Sequence, residues 1–179
     1  FRIPKKDFTG FQVMASHSDS PVFKVKANAE IEVEKHYVKL NVEKYGGMIC
    51  SPWLDRPLSV AGRIVVKTAD GVETRLVKVD RDLLIIPNLA IHMNRSVNDG
   101  YEFNAQKDML PLFCGGGQEK GSFLAMIAAE AGVEKEDILD TDLFLYNRDK
   151  GTTFGLNGEY IASPHLDDLQ CAFSSLKGF

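Results

Sequence analysis

The sequence lacks several features that would assign a protein to a class at once. Its three cysteines, Cys50, Cys114 and Cys171, are odd in number and form no Cys-x-x-Cys pair. Neither a disulfide framework nor a zinc knuckle is therefore predicted, and we expect reduced thiols in a cytoplasmic protein. No apolar run approaches the roughly 18 residues that a membrane-spanning helix needs, so a membrane partner is not expected.

The sequence also lacks an excess of positive charge. Its formal net charge is −4 over 179 residues, which disfavours a nucleic acid partner because such partners require basic surfaces. The glycines at 115–117 are not followed by Lys-Ser or Lys-Thr at the spacing of a phosphate-binding loop, so they are interpreted as turn residues. The 44% hydrophobic content is sufficient for one or two cores of an ordinary globular fold.

Strong alternation of apolar and polar residues predicts antiparallel strands through most of 21–46. The run 60–79 predicts a β-hairpin around Asp70 and Gly71, and 141–147 and 156–164 predict further strands. Phe11–Ser16 is also predicted to be a short strand. Two helices are expected: one over 121–133, with Ser122 as its N-cap and Gly132 near its end, and one over the last segment, with apolar residues at helical spacing.

Two polar groups follow predicted strands near opposite ends of the chain. In the first, His17 and Asp19 lie on the same side of an extended segment. An imidazole that binds zinc through one nitrogen needs an acceptor for its other ring N–H, and this is often a carboxylate. Taken alone, however, the tripeptide favours a polar strand end at the surface over a metal site.

The second polar group is Asp167-Asp168, at a predicted strand-to-helix junction. Adjacent carboxylates repel each other unless a cation or a helix N-terminus offsets their charge. A carboxylate can bridge two metal ions through its two oxygens, but capping of the helix by Asp167 or Asp168 is the favoured explanation of the pair taken alone. The order of elements, with a long β-rich stretch between the two polar groups, predicts an α/β fold that contains an inserted domain.

Four segments in order resemble the aspartyl aminopeptidase family of dinuclear zinc metallopeptidases, in its bacterial form. They are ASHSDSPVFKVK at 15–26, YGGMICSPWLDRPLSVAGRI at 45–64, LLIIPNLAIHMNR at 83–95 and LNGEYIASPHLDDLQCAFSSL at 156–176. The resemblance runs from about Phe11 to the end of the chain. The family usually has arginine at the position of His165 and commonly has asparagine at that of Asp168.

The resemblance implies a role for four residues. His17 matches the first zinc ligand, Asp19 the aspartate that orients it, and Asp167 the carboxylate that bridges two zinc ions. His92 matches a histidine that reaches the active site of a neighbouring subunit and helps to bind the substrate carbonyl. Taken alone, His92 follows an apolar run and would be interpreted as a buried histidine.

The resemblance also implies an architecture. We expect a zinc-exopeptidase-type sheet-and-helix catalytic domain, present in part as 1–25 and 158–179, with an inserted β-rich dimerisation domain at 26–157. Self-association into dimers that build a tetrahedral dodecamer is expected. The family's remaining ligands and its Glu-Glu general-base motif are absent from the 179 residues, so we expect the chain to be a piece of a longer polypeptide.

The function implied by the resemblance is removal of acidic N-terminal residues, Asp or Glu, from peptide substrates. Two alternatives remain open at this point. One is a related zinc exopeptidase with another N-terminal preference. The other is a non-catalytic assembly module, which would apply if the protein truly ended at Phe179.

Overall fold

The computed structural model describes residues 3–179, which divide into two compact units. One unit comprises Pro21–Gly151, and the other combines residues 3–20 with Thr152–Phe179. We call them the sheet unit and the terminal unit. In the part of the chain that the structure describes, no helix is both long and apolar enough to cross a bilayer.

The sheet unit contains a six-stranded antiparallel sheet. Its strands are β1 (Val22–Val33), β2 (Tyr37–Tyr45), β3 (Leu58–Thr68), β4 (Gly71–Lys78), β5 (Leu112–Gly115) and β6 (Ile138–Asn147). The order across the sheet is β4-β3-β6-β1-β2-β5, with every neighbouring pair antiparallel. The strands predicted from alternation and the predicted hairpin, now β3 and β4, are confirmed.

The core of the sheet unit follows from the two-residue period of its strands. In β2, Val38, Leu40 and Val42 are buried, while the residues between them are exposed or half-buried. Phe23 of β1 is fully buried and meets Trp53 edge-on, with ring centroids 5.1 Å apart. Each such side chain contributes about 1.5–3 kcal/mol on burial, so the unit is stabilised by its own interior.

The helix α1 (Ser122–Ala131) packs Phe123, Ile127 and Ala128 into this core. The prediction that Ser122 caps it is wrong, because Gly121 occupies the N-cap position and makes no side-chain cap. The carboxylate of Glu30 in β1 instead accepts hydrogen bonds from the N–H groups of Gly121 and Phe123 and from the Ser122 hydroxyl, at 2.6–3.0 Å. The helix ends as expected at Gly132, which adopts the left-handed conformation.

The terminal unit contains the two-stranded sheet of β7 (Thr152–Phe154) and β8 (Tyr160–Ala162), followed by α2 (Leu166–Gly178). The predicted helix in the last segment is confirmed. The predicted strand at Phe11–Ser16 is wrong: this segment is extended but unpaired, and Phe11 and Val13 are exposed. A strand needs a neighbouring backbone to satisfy its N–H and C=O groups, and among the described residues none pairs with this segment.

The boundaries of the two units differ by a few residues from those of the predicted domains. The sheet unit spans Pro21–Gly151, whereas the inserted domain was predicted at 26–157. The proposed roles of the two parts, catalytic for 1–25 with 158–179 and dimerising for the stretch between them, remain predictions.

Candidate metal centre

The terminal unit brings together the two polar segments that the sequence places at opposite ends of the chain. His17, Asp19 and Ser20 lie in the extended segment before β1, and Asp167 and Asp168 open α2. The hydroxyl of Ser20 donates a hydrogen bond to the backbone oxygen of Asp167 at 3.2 Å, which links residues 147 positions apart. This bond fixes the first segment against the start of the helix.

The two ring nitrogens of His17 face different partners. Nδ1 lies 3.0 Å from the backbone oxygen of Asp19 and 3.4 Å from Oδ1 of the same residue. With the ring proton on Nδ1, this nitrogen donates to the Asp19 carbonyl and leaves the lone pair of Nε2 free. A neutral imidazole held in this tautomer is a metal ligand through Nε2.

Nε2 of His17 faces two carboxylates at the same distance. Oδ1 of Asp167 and Oδ2 of Asp168 each lie 3.6 Å from it, which is too long for a hydrogen bond. Zinc lies about 2.0–2.2 Å from nitrogen and oxygen ligands, so two ligands of one tetrahedral ion lie roughly 3.3–3.6 Å apart. The separation therefore suits a nitrogen and an oxygen that share a metal ion.

The two carboxylates differ in their surroundings. The side chain of Asp167 is 96% exposed, whereas that of Asp168 is 18% exposed. Both residues have non-helical backbone angles inside α2, and the peptide bond between them is cis. Helix capping was the competing explanation of this pair, but α2 has no side-chain cap hydrogen bond at its N-terminus.

The electrostatics of the site favour positive charge at His17. Its pKa is raised, chiefly by the hydrogen bond to the Asp19 backbone; burial opposes this, and the negative charges of Asp168, Asp19 and Asp167 raise the pKa further. The pKa of the Cys171 thiol is also raised, first by its hydrogen bond with Asp168. Three carboxylates around one imidazole form a setting that attracts a cation.

The residues present fit part of a zinc site. Nitrogen and carboxylate oxygen are the donors that zinc takes, and catalytic zinc sites use three protein ligands. No group of three or more His, Cys, Asp or Glu side chains within residues 3–179 is arranged to hold a metal ion by itself. His17 and Asp167 would therefore supply only part of a ligand set, and a zinc ion there would need further donors.

A groove of about 540 Å³ adjoins the two carboxylates. It is lined by residues of α2, namely Leu166, Asp167, Asp168, Gln170, Cys171 and Ser174. The carboxylates thus border open space in which a ligand can be accommodated.

His92 belongs to the other unit of the chain. It lies in the sheet unit, on a turn at 91–93, and its side chain is exposed. Its interpretation as a buried histidine is therefore wrong.

The sequence left three residues of the site unassigned. Asp168 was treated only as the neighbour of Asp167, although both carboxylates lie equally far from His17. The hydroxyl of Ser20 bonds to the backbone of the same Asp-Asp pair, and Cys171 lines the groove beside it. The one sequence signal for Asp168 was its adjacency to Asp167, and the other two contacts depend on tertiary structure.

Two solved structures share the fold of this chain. The cryo-EM structure of the Ape4 and Nbr1 complex matches with a TM-score of 0.79 and 33% identity, over 88% of this chain and 34% of that chain. The mApe1 dodecamer of Saccharomyces cerevisiae matches with a TM-score of 0.70 and 26% identity, over 88% of this chain and 36% of that one. Both likenesses support the expected α/β fold with a β-rich unit.

The family follows from the sequence itself. Residues 1–179 match the model of the aminopeptidase I zinc metalloprotease (M18) family, and the chain belongs to that family. It is 48% identical over 172 residues to a probable M18 family aminopeptidase 2 of Clostridium acetobutylicum, covering 93% of this chain and 40% of the relative. The chain spans about 40% of the length of the curated relatives that it matches.

Proposed function

We propose that the protein is a zinc-dependent aminopeptidase that removes N-terminal Asp or Glu from peptides. The observation that carries this proposal is the meeting of His17 Nε2 and Asp167 Oδ1 at 3.6 Å in a chain that belongs to a zinc metalloprotease family over its whole length. The preference for acidic residues rests on the four sequence blocks that resemble aspartyl aminopeptidases.

The metal centre would hold two zinc ions, with His17 as a ligand of one and Asp167 as the carboxylate between them. Bound zinc supplies Lewis-acid chemistry, which polarises a carbonyl and lowers the pKa of water. Asp19 holds the Nδ1 proton of His17, so Nε2 stays directed at the site. Ser20 donates a hydrogen bond to the backbone oxygen of Asp167, which keeps Asp167 close to His17.

His92 would act in a neighbouring subunit, where its imidazole N–H donates to the carbonyl oxygen of the substrate. Donors placed where negative charge develops are a large source of transition-state stabilisation. The exposed position of His92 on a turn supports this role, because a buried side chain is not available to a second subunit.

The assembly that this role requires is a dimer, and we propose that dimers build a tetrahedral dodecamer. The similarity to the mApe1 dodecamer of Saccharomyces cerevisiae supports self-association. We further propose that the protein acts in the cytoplasm. Its three cysteines are free, as expected where thiols are kept reduced.

The test uses the full-length protein and a panel of peptides that differ only in their N-terminal residue: Asp, Glu, Leu and Lys. We expect the fastest release for Asp and Glu. His17→Ala should lower kcat/KM by at least about 100-fold, because it removes a metal ligand. His36→Ala is the matched control, since His36 is an exposed histidine on a turn of the sheet unit, and it should leave the rate unchanged.

Two outcomes would redirect the assignment. Fastest release of Leu or Lys would indicate a related zinc exopeptidase with another preference. Release of none of the four residues by zinc-loaded wild-type protein would favour the non-catalytic assembly module.

A further inference from the structure

The turn that carries His92 begins shortly after a bridged stretch of the sheet unit ends. Three consecutive residues of this stretch each form a bridge to a neighbouring segment: Leu84, Ile85 and Ile86. Pro87 follows them and has no N–H with which to continue the pairing. Asn88 is therefore the first residue after the bridged stretch whose N–H needs a partner.

Asp55 supplies that partner. Its Oδ1 accepts a hydrogen bond from the N–H of Asn88 at 2.9 Å, and its own N–H donates to the carbonyl of Ile86 at 2.9 Å. The side chain of Asn88 in turn accepts a hydrogen bond from the N–H of Leu89 at 2.9 Å. Asp55 thus bonds to the chain on both sides of Pro87, and it fixes the direction in which the chain leaves the bridged stretch.

The backbone of Asp55 is adapted to these contacts. Asp55 adopts the left-handed conformation, with a φ of 56°, which residues other than Gly, Asn and Asp seldom take. Such a conformation persists where the surrounding contacts fix it. The hydrogen bonds to Ile86 and Asn88 are contacts of this kind.

The turn itself has little packing to hold it. Leu89, Ile91 and Met93 are 57%, 48% and 76% exposed, and His92 is exposed as well. A hydrogen bond from the N–H of Met93 to the carbonyl of Ala90 at 2.8 Å closes the turn around His92. Because few apolar contacts fix the turn, its position depends on the hydrogen bonds that anchor its first residues.

We propose that Asp55 is a positioning residue for His92: its carboxylate anchors the turn from which His92 reaches the substrate carbonyl in a neighbouring subunit. This inference rests on the proposed function, because it assumes the role given there to His92. A displacement of about 1 Å at a reacting group costs up to about 100-fold in rate. Loss of the anchor at Asn88 should therefore have a measurable effect on catalysis.

The experiment measures kcat/KM of the full-length protein on a peptide with N-terminal Asp. Asp55→Gly keeps the left-handed conformation accessible and removes the carboxylate, and we expect a loss of about 10- to 100-fold. Asp55→Asn keeps an oxygen acceptor and also tolerates the left-handed conformation, so it should recover most of this loss. Asp70→Gly is the matched control: Asp70 is exposed on the turn between β3 and β4, and its replacement should leave kcat/KM unchanged.

A second mutation separates positioning from a general structural effect. His92→Ala should lower kcat/KM by about 100- to 1,000-fold, because it removes the donor to the substrate carbonyl. If Asp55 acts through His92, Asp55→Gly should cause no further loss in the His92→Ala protein, since residues that act as a unit are not additive. An Asp55 with a purely structural role would produce the same fractional loss in both backgrounds.

Hydrogen exchange of the segment 88–93 supplies a readout that is independent of activity. Asp55→Gly should speed exchange at the amide of Asn88, which donates to Asp55, because it removes the acceptor that protects this amide. Asp55→Asn and Asp70→Gly should leave the exchange rate close to that of the wild type.

The outcomes separate this inference from the proposed function. Wild-type kcat/KM in Asp55→Gly, with His92→Ala impaired, would overturn the role of Asp55 and leave that of His92 standing. A His92→Ala protein as active as the wild type would refute both roles. A wild-type protein that cleaves no peptide would refute the aminopeptidase; unchanged exchange at Asn88 in Asp55→Gly would then overturn the anchoring as well, and faster exchange would support it.

Discussion

The sheet unit contains the hydrophobic core, whereas the terminal unit contains the candidate metal centre. All the buried residues of the described chain belong to the sheet unit. In 3–20 and 152–179 no residue is buried, and apolar side chains such as Val13, Leu156 and Leu176 are more than three-quarters exposed. The terminal unit nevertheless contains His17, Asp167 and Asp168, so the candidate site lies in the part of the chain with the least interior packing.

The difference shows that a site can be defined by a few polar contacts without a core around it. Ser20, His17 and the Asp-Asp pair are joined by contacts of 3.2–3.6 Å. Exposed polar contacts of this kind contribute little stability individually. The sheet unit, by contrast, gains its stability from the burial of about twenty apolar side chains.

The largest expected contrast compares one phenylalanine from each unit. Phe23→Ala removes a fully buried ring from the core and should lower the free energy of unfolding by about 3–5 kcal/mol. Phe173→Ala removes a ring that is 65% exposed, so the change should stay within about 0.5 kcal/mol. Urea denaturation of the 179-residue chain, followed by circular dichroism, measures both free energies of unfolding. Similar losses for the two variants would contradict the claim that only the sheet unit is stabilised by a buried core.

A smaller contrast compares two glycines. A Cβ at Gly116 would lie 2.3 Å from the backbone oxygen of Lys35, whereas a Cβ at Gly178 would have its nearest neighbour at an ordinary 3.9 Å. Gly116→Ala should therefore cost about 1–3 kcal/mol through overpacking, and Gly178→Ala should be neutral. The same denaturation experiment applies, and a neutral Gly116→Ala would mean that the turn between β1 and β2 and the glycine-rich loop separate easily.

The smallest contrast compares the two helix N-termini. Glu30 of the sheet unit accepts three hydrogen bonds at the start of α1, so Glu30→Gln should lower the free energy of unfolding by about 1 kcal/mol at neutral pH. Glu32→Gln, an exposed neighbour, is the control. Asp168→Asn, in the terminal unit, should leave the unfolding free energy within about 0.5 kcal/mol of wild type.

The effect of Glu30 should depend on pH in a defined direction. Burial tends to raise its pKa, but the hydrogen bonds from Phe123, Gly121 and Ser122 lower it below the ordinary value of 4.5. The carboxylate therefore stabilises the fold fully above pH 4.5, and this contribution is lost as the pH falls through the lower folded pKa. An advantage of wild type over Glu30→Gln that persisted unchanged at about pH 3 would contradict this origin.

The sequence predicted the parts of the fold that depend on local periodicity. Alternation in β1 and β2 and the turn at Asp70-Gly71 identified strands because each pattern reports which face is buried. The unpaired state of Phe11–Ser16 depends on whether another strand lies beside it, and the cap of α1 depends on Glu30, which lies 91 residues away from Gly121. Local patterns carry no information on either.

The candidate site was predictable to a similar extent. His17, Asp19 and Asp167 were identified by resemblance, and the structure brings them together. The closeness of Asp168 to His17 depends on the non-helical backbone angles at the start of α2. The sequence of this segment has helical spacing and did not predict those angles. The role of His92 stays a prediction, because it concerns a second subunit.

The most direct test of the account is the position of zinc in crystals of the full-length protein, located by anomalous scattering at the zinc absorption edge. The account predicts a peak at bonding distance from both His17 Nε2 and a carboxylate oxygen of Asp167, about 2.0–2.2 Å from each, with a second peak on the other oxygen of Asp167. Zinc bound elsewhere, with His17 and Asp167 free of metal, would contradict it.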